Sequence, residues 1–153
     1  MLFLLFEIGS SRYCLDVSQV IEITPLVSLR KLPFAPPYVS GLMNYRGDIT
    51  PVIDLSLLLG QEASRPLFST RIVLVRFRAS DKSDHMLGLM AEKATETISR
   101  REEDFKPMGL AIDNARFLGK VVSDERGMIQ RLEMQQILPE DVQRTLFTES
   151  EAV

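Results

Sequence analysis

Apolar residues fall along this chain in short runs and alternations of strand length, and helical spacing is confined to brief segments. Residues 2–8 predict a strand, turned by Gly9-Ser10-Ser11-Arg12 into a second one over Tyr13–Leu15. Asp16 is placed to cap a short helical turn, Val17–Val20, ahead of a strand over Ile21–Thr24. Pro33, Pro36 and Pro37 break the chain into a loop from Leu32 to Tyr38, whose Leu32 and Phe34 predict packing on a surface. The hub follows, from Gly41 to Leu59: strand, tight turn at Arg46-Gly47-Asp48, strand, then one turn of helix. Gly47 takes φ > 0 without a Cβ clash, and the Asp48 side chain is suited to bond neighbouring backbone. Pro51 has no backbone donor and places its strand at an edge or a bulge. Ser56 is the predicted cap of the helical turn at Leu57, Leu58 and Leu59.

Gln61–Ser69, with Gly60 before it and Pro66 inside, reads as a lobe boundary. Beyond it lie a β-branched strand at Arg71–Arg78, a polar loop at Ala79–Asp84 and a strand at His85–Met90. Glu92–Ile98 repeats the earlier turn-then-strand, Ser99–Leu110 is a charged loop, and strands over Phe117–Val122 and Met128–Leu132 flank the turn Asp124-Glu125-Arg126-Gly127. A helical turn at Glu133–Leu138 and a short helix at Val142–Phe147, with Pro139 just outside it, precede a tail at 148–153 expected to fray. Two segments echo one another. Tyr13–Thr24 aligns with Leu87–Ile98 at an offset of 74 residues, and Ile53–Leu59 with Leu132–Leu138 at an offset of 79. Two similar β-lobes side by side explain both.

Composition narrows the function. With 153 residues, 45% of them hydrophobic, the chain is long enough for one domain or two small lobes. Its 18 basic and 21 acidic residues give a net charge of −3, and the arginines between Arg71 and Arg101 are interleaved with acids. A small β-barrel nucleic-acid module is the alternative function, but it calls for a basic, aromatic face, and the chain has no tryptophan and 7% aromatics. An enzyme calls for convergent polar groups. The single cysteine, Cys14, sits in an apolar alternation as a small hydrophobe, and the single histidine, His85, is expected to face solvent beside a polar loop. Asp54 reads as a helix-entry carboxylate with no acid–base partner at motif distance. The apolar opening ends at Glu7, too short for a membrane span and without a signal peptide's basic flank, so a cytoplasmic protein is expected.

The hub resembles the CheW family of chemotaxis coupling proteins. Gly41, Asn44, Arg46, Gly47, Pro51, Val52, Ile53, Asp54 and Leu55 follow that family's Asn-Leu-Arg-Gly and Pro-Val-Ile-Asp-Leu pattern. Tyr13–Val17, Val20–Ile23 and the proline segment Leu32–Gly41 follow it upstream, so the likeness spans about residues 2–140. It implies a mainly β fold of two SH3-like, five-stranded β-barrel subdomains side by side, at about 1–66 and 67–140, with short helical turns, a C-terminal helix and tail over 140–153, and a groove between the barrels. It also implies a non-catalytic adaptor without cofactor or metal. Its partners would be the cytoplasmic tip of a chemoreceptor and the regulatory domain of a CheA-type histidine kinase, in membrane-associated receptor arrays. The likeness extends to adaptors of Wsp-type surface-sensing pathways. By motif, the receptor-binding residues are Glu22 and Arg46, with Val20 and Gly41 beside them; kinase-binding residues stay unassigned. Tyr45 departs from the family's usual leucine. Taken alone, Arg46 is equally well an exposed turn charge or a donor fork pairing with Glu22.

Overall fold

The structure, a computed structural model, describes residues 1–109 and 115–147. Nine strands carry the fold: β1 (Leu2–Ile8), β2 (Ser11–Asp16), β3 (Val20–Pro25), β4 (Val39–Tyr45), β5 (Asp48–Asp54), β6 (Arg71–Arg78), β7 (Asp84–Ser99), β8 (Leu118–Asp124) and β9 (Gly127–Leu132). Two short helices, α1 (Leu55–Leu58) and α2 (Glu140–Leu146), and three 3-10 turns complete the described elements.

The strands form two five-stranded β subdomains, as expected, but pairing divides the chain differently from a cut near residue 66. A central barrel runs β3-β6-β7-β5-β4, using the first half of β7. A terminal barrel runs β7-β1-β2-β9-β8, using the second half of the same strand. Glu92–Ile98 is therefore no separate turn-then-strand. It continues β7, which leaves one barrel for the other around Lys93, a non-glycine residue at φ 54°. β2 and β3 make the opposite crossing through the 3-10 turn Val17–Gln19, where Asp16 accepts a bond from the Ser18 amide (2.9 Å).

These two crossings are the two copies of the first echo. In the terminal barrel Cys14 pairs with Arg131 on a parallel strand; shifted by 74 and 79 residues, the pair becomes Gly88 with Val52 in the central barrel. Seam closure repeats too. The chain beyond β3 pairs with β4 (Arg30 with Leu42), and the chain beyond β7 pairs with β8 (Lys106 with Val121).

β1 and β6 occupy equivalent places, buried on both faces, which accounts for their near-continuous apolar runs. Phe3 and Leu5 fill the terminal barrel with Cys14, Phe105, Val122 and Ile129. Ile72 and Leu74 fill the central barrel with Met43 and Val52. The alternate residues, Leu4, Phe6 and Ile8 on β1 and Val73, Val75 and Phe77 on β6, meet in the largest core, between the barrels. At about 1.5–3 kcal/mol for each large apolar side chain, this shared core binds the barrels into one unit.

Candidate functional site: the seam of the central barrel

The turn between β4 and β5 has two central residues, Arg46 (φ 51°) and Gly47 (φ 92°), both left-handed. Such a turn matches the twist of paired strands. Glycine accepts this conformation freely and arginine does not, so Arg46 is held there by its surroundings. The side chain bonding the turn is that of Asn44, whose Oδ1 accepts from the Gly47 amide (2.8 Å), and not that of Asp48. At this tip Arg46 projects toward β3, and its Nη2 donates to Glu22 Oε1 at 3.2 Å. The pair spans the seam between the barrel's two edge strands, β3 and β4.

The expected neighbours take different places. Val20, half-buried, packs against the core between the barrels. Gly41 is buried, and a Cβ there would stand 2.5 Å from the Arg30 carbonyl oxygen, so its role is to let the chain after β3 close on β4. Met43, between Gly41 and the turn, is buried in the barrel's interior. Phe34 is fully exposed at φ 64° rather than packed on a surface, while Leu32, Ala35 and Tyr38 around it do pack. Since the interface between the barrels is filled by core, the exposed apolar face lies on the central barrel itself.

Sequence reasoning missed that face. Ile21 and Ile23 on β3 are 39% and 42% exposed, and Ile49 at the start of β5 is 65% exposed. Ile21 and Ile49 open on a cleft of about 600 Å³ with Pro51, Met86, Arg76 and the end of α2. No signal in the sequence marks it: Ile21 and Ile23 alternating with Glu22 and Thr24 is the pattern of a strand with one buried face, and in the fold the isoleucines are the more exposed set.

The groups considered for catalysis are occupied structurally. Asp54, buried, caps α1 in place of Ser56; its carboxylate accepts from the Ser56 amide (3.0 Å), the Ser64 amide (2.9 Å) and the Ser64 hydroxyl (2.6 Å). Ser56 donates its own hydroxyl to the Glu62 carbonyl. Burial pushes the Cys14 thiol up to about 12, leaving no thiolate near neutral pH. His85 is half-buried rather than solvent-facing, its ring stacked on Phe147 at 4.3 Å and bonded to the Ser83 hydroxyl at 2.7 Å. Pro51 immediately precedes the β5–β7 ladder, which starts at Val52, as its missing donor requires. No helix among the described residues is long and apolar enough to cross a membrane.

The model of the CheW-like domain matches residues 2–142, almost the whole described chain. The chain belongs to the CheW-like family. The Chemotaxis protein CheW of Rhizobium meliloti (strain 1021) is 27% identical over 138 residues, covering 89% of this chain and 86% of that protein. Chemotaxis protein CheW of Helicobacter pylori is 27% identical over 140 residues, covering 91% and 82%. Among solved structures, the scaffolding protein TtCheW from Thermoanaerobacter tengcongensis superposes with a TM-score of 0.79 at 26% identity, covering 92% of this chain and 89% of that one. The CheW-like resemblance of the hub is thus borne out along the chain, and a chemosensory adaptor, not a nucleic-acid module, is its functional class.

Proposed function

We propose that this chain is a non-catalytic adaptor that docks the cytoplasmic tip of a chemoreceptor on the β3–β4 seam of its central barrel and couples it to the regulatory domain of a CheA-type histidine kinase. The observation that carries the reading is the Glu22–Arg46 pair, set across a barrel seam, with exposed Ile21 and Ile23 on the same strand and Ile49 just beyond the turn. A receptor hairpin presents an amphipathic helix with anchors every three or four residues, and a seam that carries both a directional donor fork and exposed apolar side chains suits it. Val20 and Gly41 serve the site from beneath, one supporting β3 and the other admitting the chain that closes the seam. Recruitment to membrane-associated arrays then comes through the receptor, with no span of the adaptor's own required.

Arg46→Glu sets two carboxylates face to face at an exposed position, so it should abolish co-sedimentation with receptor-containing membranes while leaving the circular dichroism and melting of the fold intact. Undiminished co-sedimentation by the folded variant would overturn the assignment of this face.

A further inference from the structure

The tip of the β4–β5 hairpin carries one residue that the ion pair does not account for. Tyr45, half-buried, packs at the rim of the central barrel's interior cluster, against the group formed by Met43, Val52, Ile72 and Leu74. Its ring also lies against the Arg46 guanidinium, with the Cζ 5.2 Å from the ring centroid. The Glu22 carboxylate is the main influence holding the phenol's pKa above its ordinary value. One side chain thus bears on both partners, with its ring against the cation and its phenol under the influence of the anion. Without that contact the pair would be loose, because the Arg46 side chain is 75% exposed and exposed pairs of this kind are weak and exchangeable.

We propose that Tyr45 determines the specificity of the docking face: by tying Arg46 to Glu22 it presents a preformed, charge-balanced pair and selects a receptor hairpin whose contacting position is uncharged. The proposal rests on the docking face argued above. A leucine at this place, as in the pattern the hub otherwise follows, offers neither a ring quadrupole nor a hydroxyl, and it leaves Arg46 free to take a carboxylate from the partner. Tyr45 is a positioning residue, acting on the partner through Arg46.

The test is calorimetric titration of the full chain, as wild type, Tyr45→Phe and Tyr45→Leu, with a soluble hairpin fragment of a chemoreceptor with which the wild-type chain co-sediments. Versions of that fragment carry one Gln→Glu or Glu→Gln exchange at each tip position in turn. Wild type should lose about tenfold in affinity when a carboxylate is introduced at the contacting position, Tyr45→Leu should reverse that preference with a steeper salt dependence, and Tyr45→Phe should fall between. Identical rankings of the fragments by wild type and Tyr45→Leu would overturn the proposal. Should Tyr45→Leu fail to fold, Tyr45→Phe keeps the ring and its packing, and an unchanged ranking by that variant overturns it equally. Arg46→Glu separates the two levels: if it loses binding while the Tyr45 variants rank like wild type, only the specificity proposal falls. If it binds undiminished, the docking face falls with it.

Discussion

The two barrels share one wiring diagram and differ in how their seams are held. In the terminal barrel the seam is locked. Arg131, with its side chain 13% exposed, lies between the rings of Phe3 and Phe105 at 5.1 and 5.4 Å and donates to Glu102 at 2.6 Å, with Asp16 and Glu133 nearby. At the β8–β9 hairpin tip, Arg12 of β2 grips Asp124 in a two-pronged fork, one prong of 2.8 Å, and adds a bond to the Gly127 carbonyl. At the equivalent hairpin tip of the central barrel there is a single pair, Glu22 with Arg46, at 3.2 Å and open to solvent. The same fold thus spends its buried guanidinium groups on stability at one seam and leaves the other with an exposed cation and bare isoleucines. What distinguishes a sealed seam from an open one is how many of its donors are already satisfied.

The sharpest way to break this comparison is to cut it. Residues 1–66 and 67–147, produced separately, should both fail to fold, because β1 then lacks β7 and β3 lacks β6. Dispersed amide resonances from either piece would show that the barrels are independent after all. Next in size is Arg131→Ala, which strands acids and uncovers two rings; urea denaturation should register a loss of about 3 kcal/mol. A loss no larger than that of an exposed pair would remove the contrast between the seams. Acid provides a smaller effect. Arg12 holds the Asp124 carboxyl well below the usual carboxylate range, so it stays ionised in the fold at a pH where the unfolded chain takes up a proton. Its contribution is therefore complete above about pH 4 and is lost as pH falls toward the folded value; Asp124→Asn should flatten this acid limb of the melting profile. Smallest is Arg46→Gly. Relief of the left-handed turn and loss of a weak pair should nearly cancel, leaving stability within about 1 kcal/mol of wild type while receptor co-sedimentation disappears.

Local chemistry was legible in the sequence, and long-range pairing was not. Alternation located the strands to within a few residues, and the Asp16 cap, the Asp54 helix entry and the left-handed Gly47 followed from side-chain chemistry alone. The echo announced two related lobes, yet it did not say that their strands interleave. The partner of Leu2 is Ser99, and the crossing in β7 turns at Lys93, where no glycine or proline marks it. Glu22 and Arg46 were brought together by motif, and in the fold they are in contact. Ile21 and Ile23 gave no such warning, because an exposed apolar residue on an edge strand is written like one of the core. His85 was misread for the complementary reason: its polar loop says nothing of Phe147, which reaches it from the far end of the chain.

Strand β7 belongs to neither barrel alone. Its sixteen residues are laddered to neighbours along both halves, with no linker between them, so the distance from one barrel's outer surface to the other's is fixed by backbone hydrogen bonds. A molecule built this way is a gauge block: whatever is seated on one barrel is kept at one spacing and one angle from whatever is seated on the other.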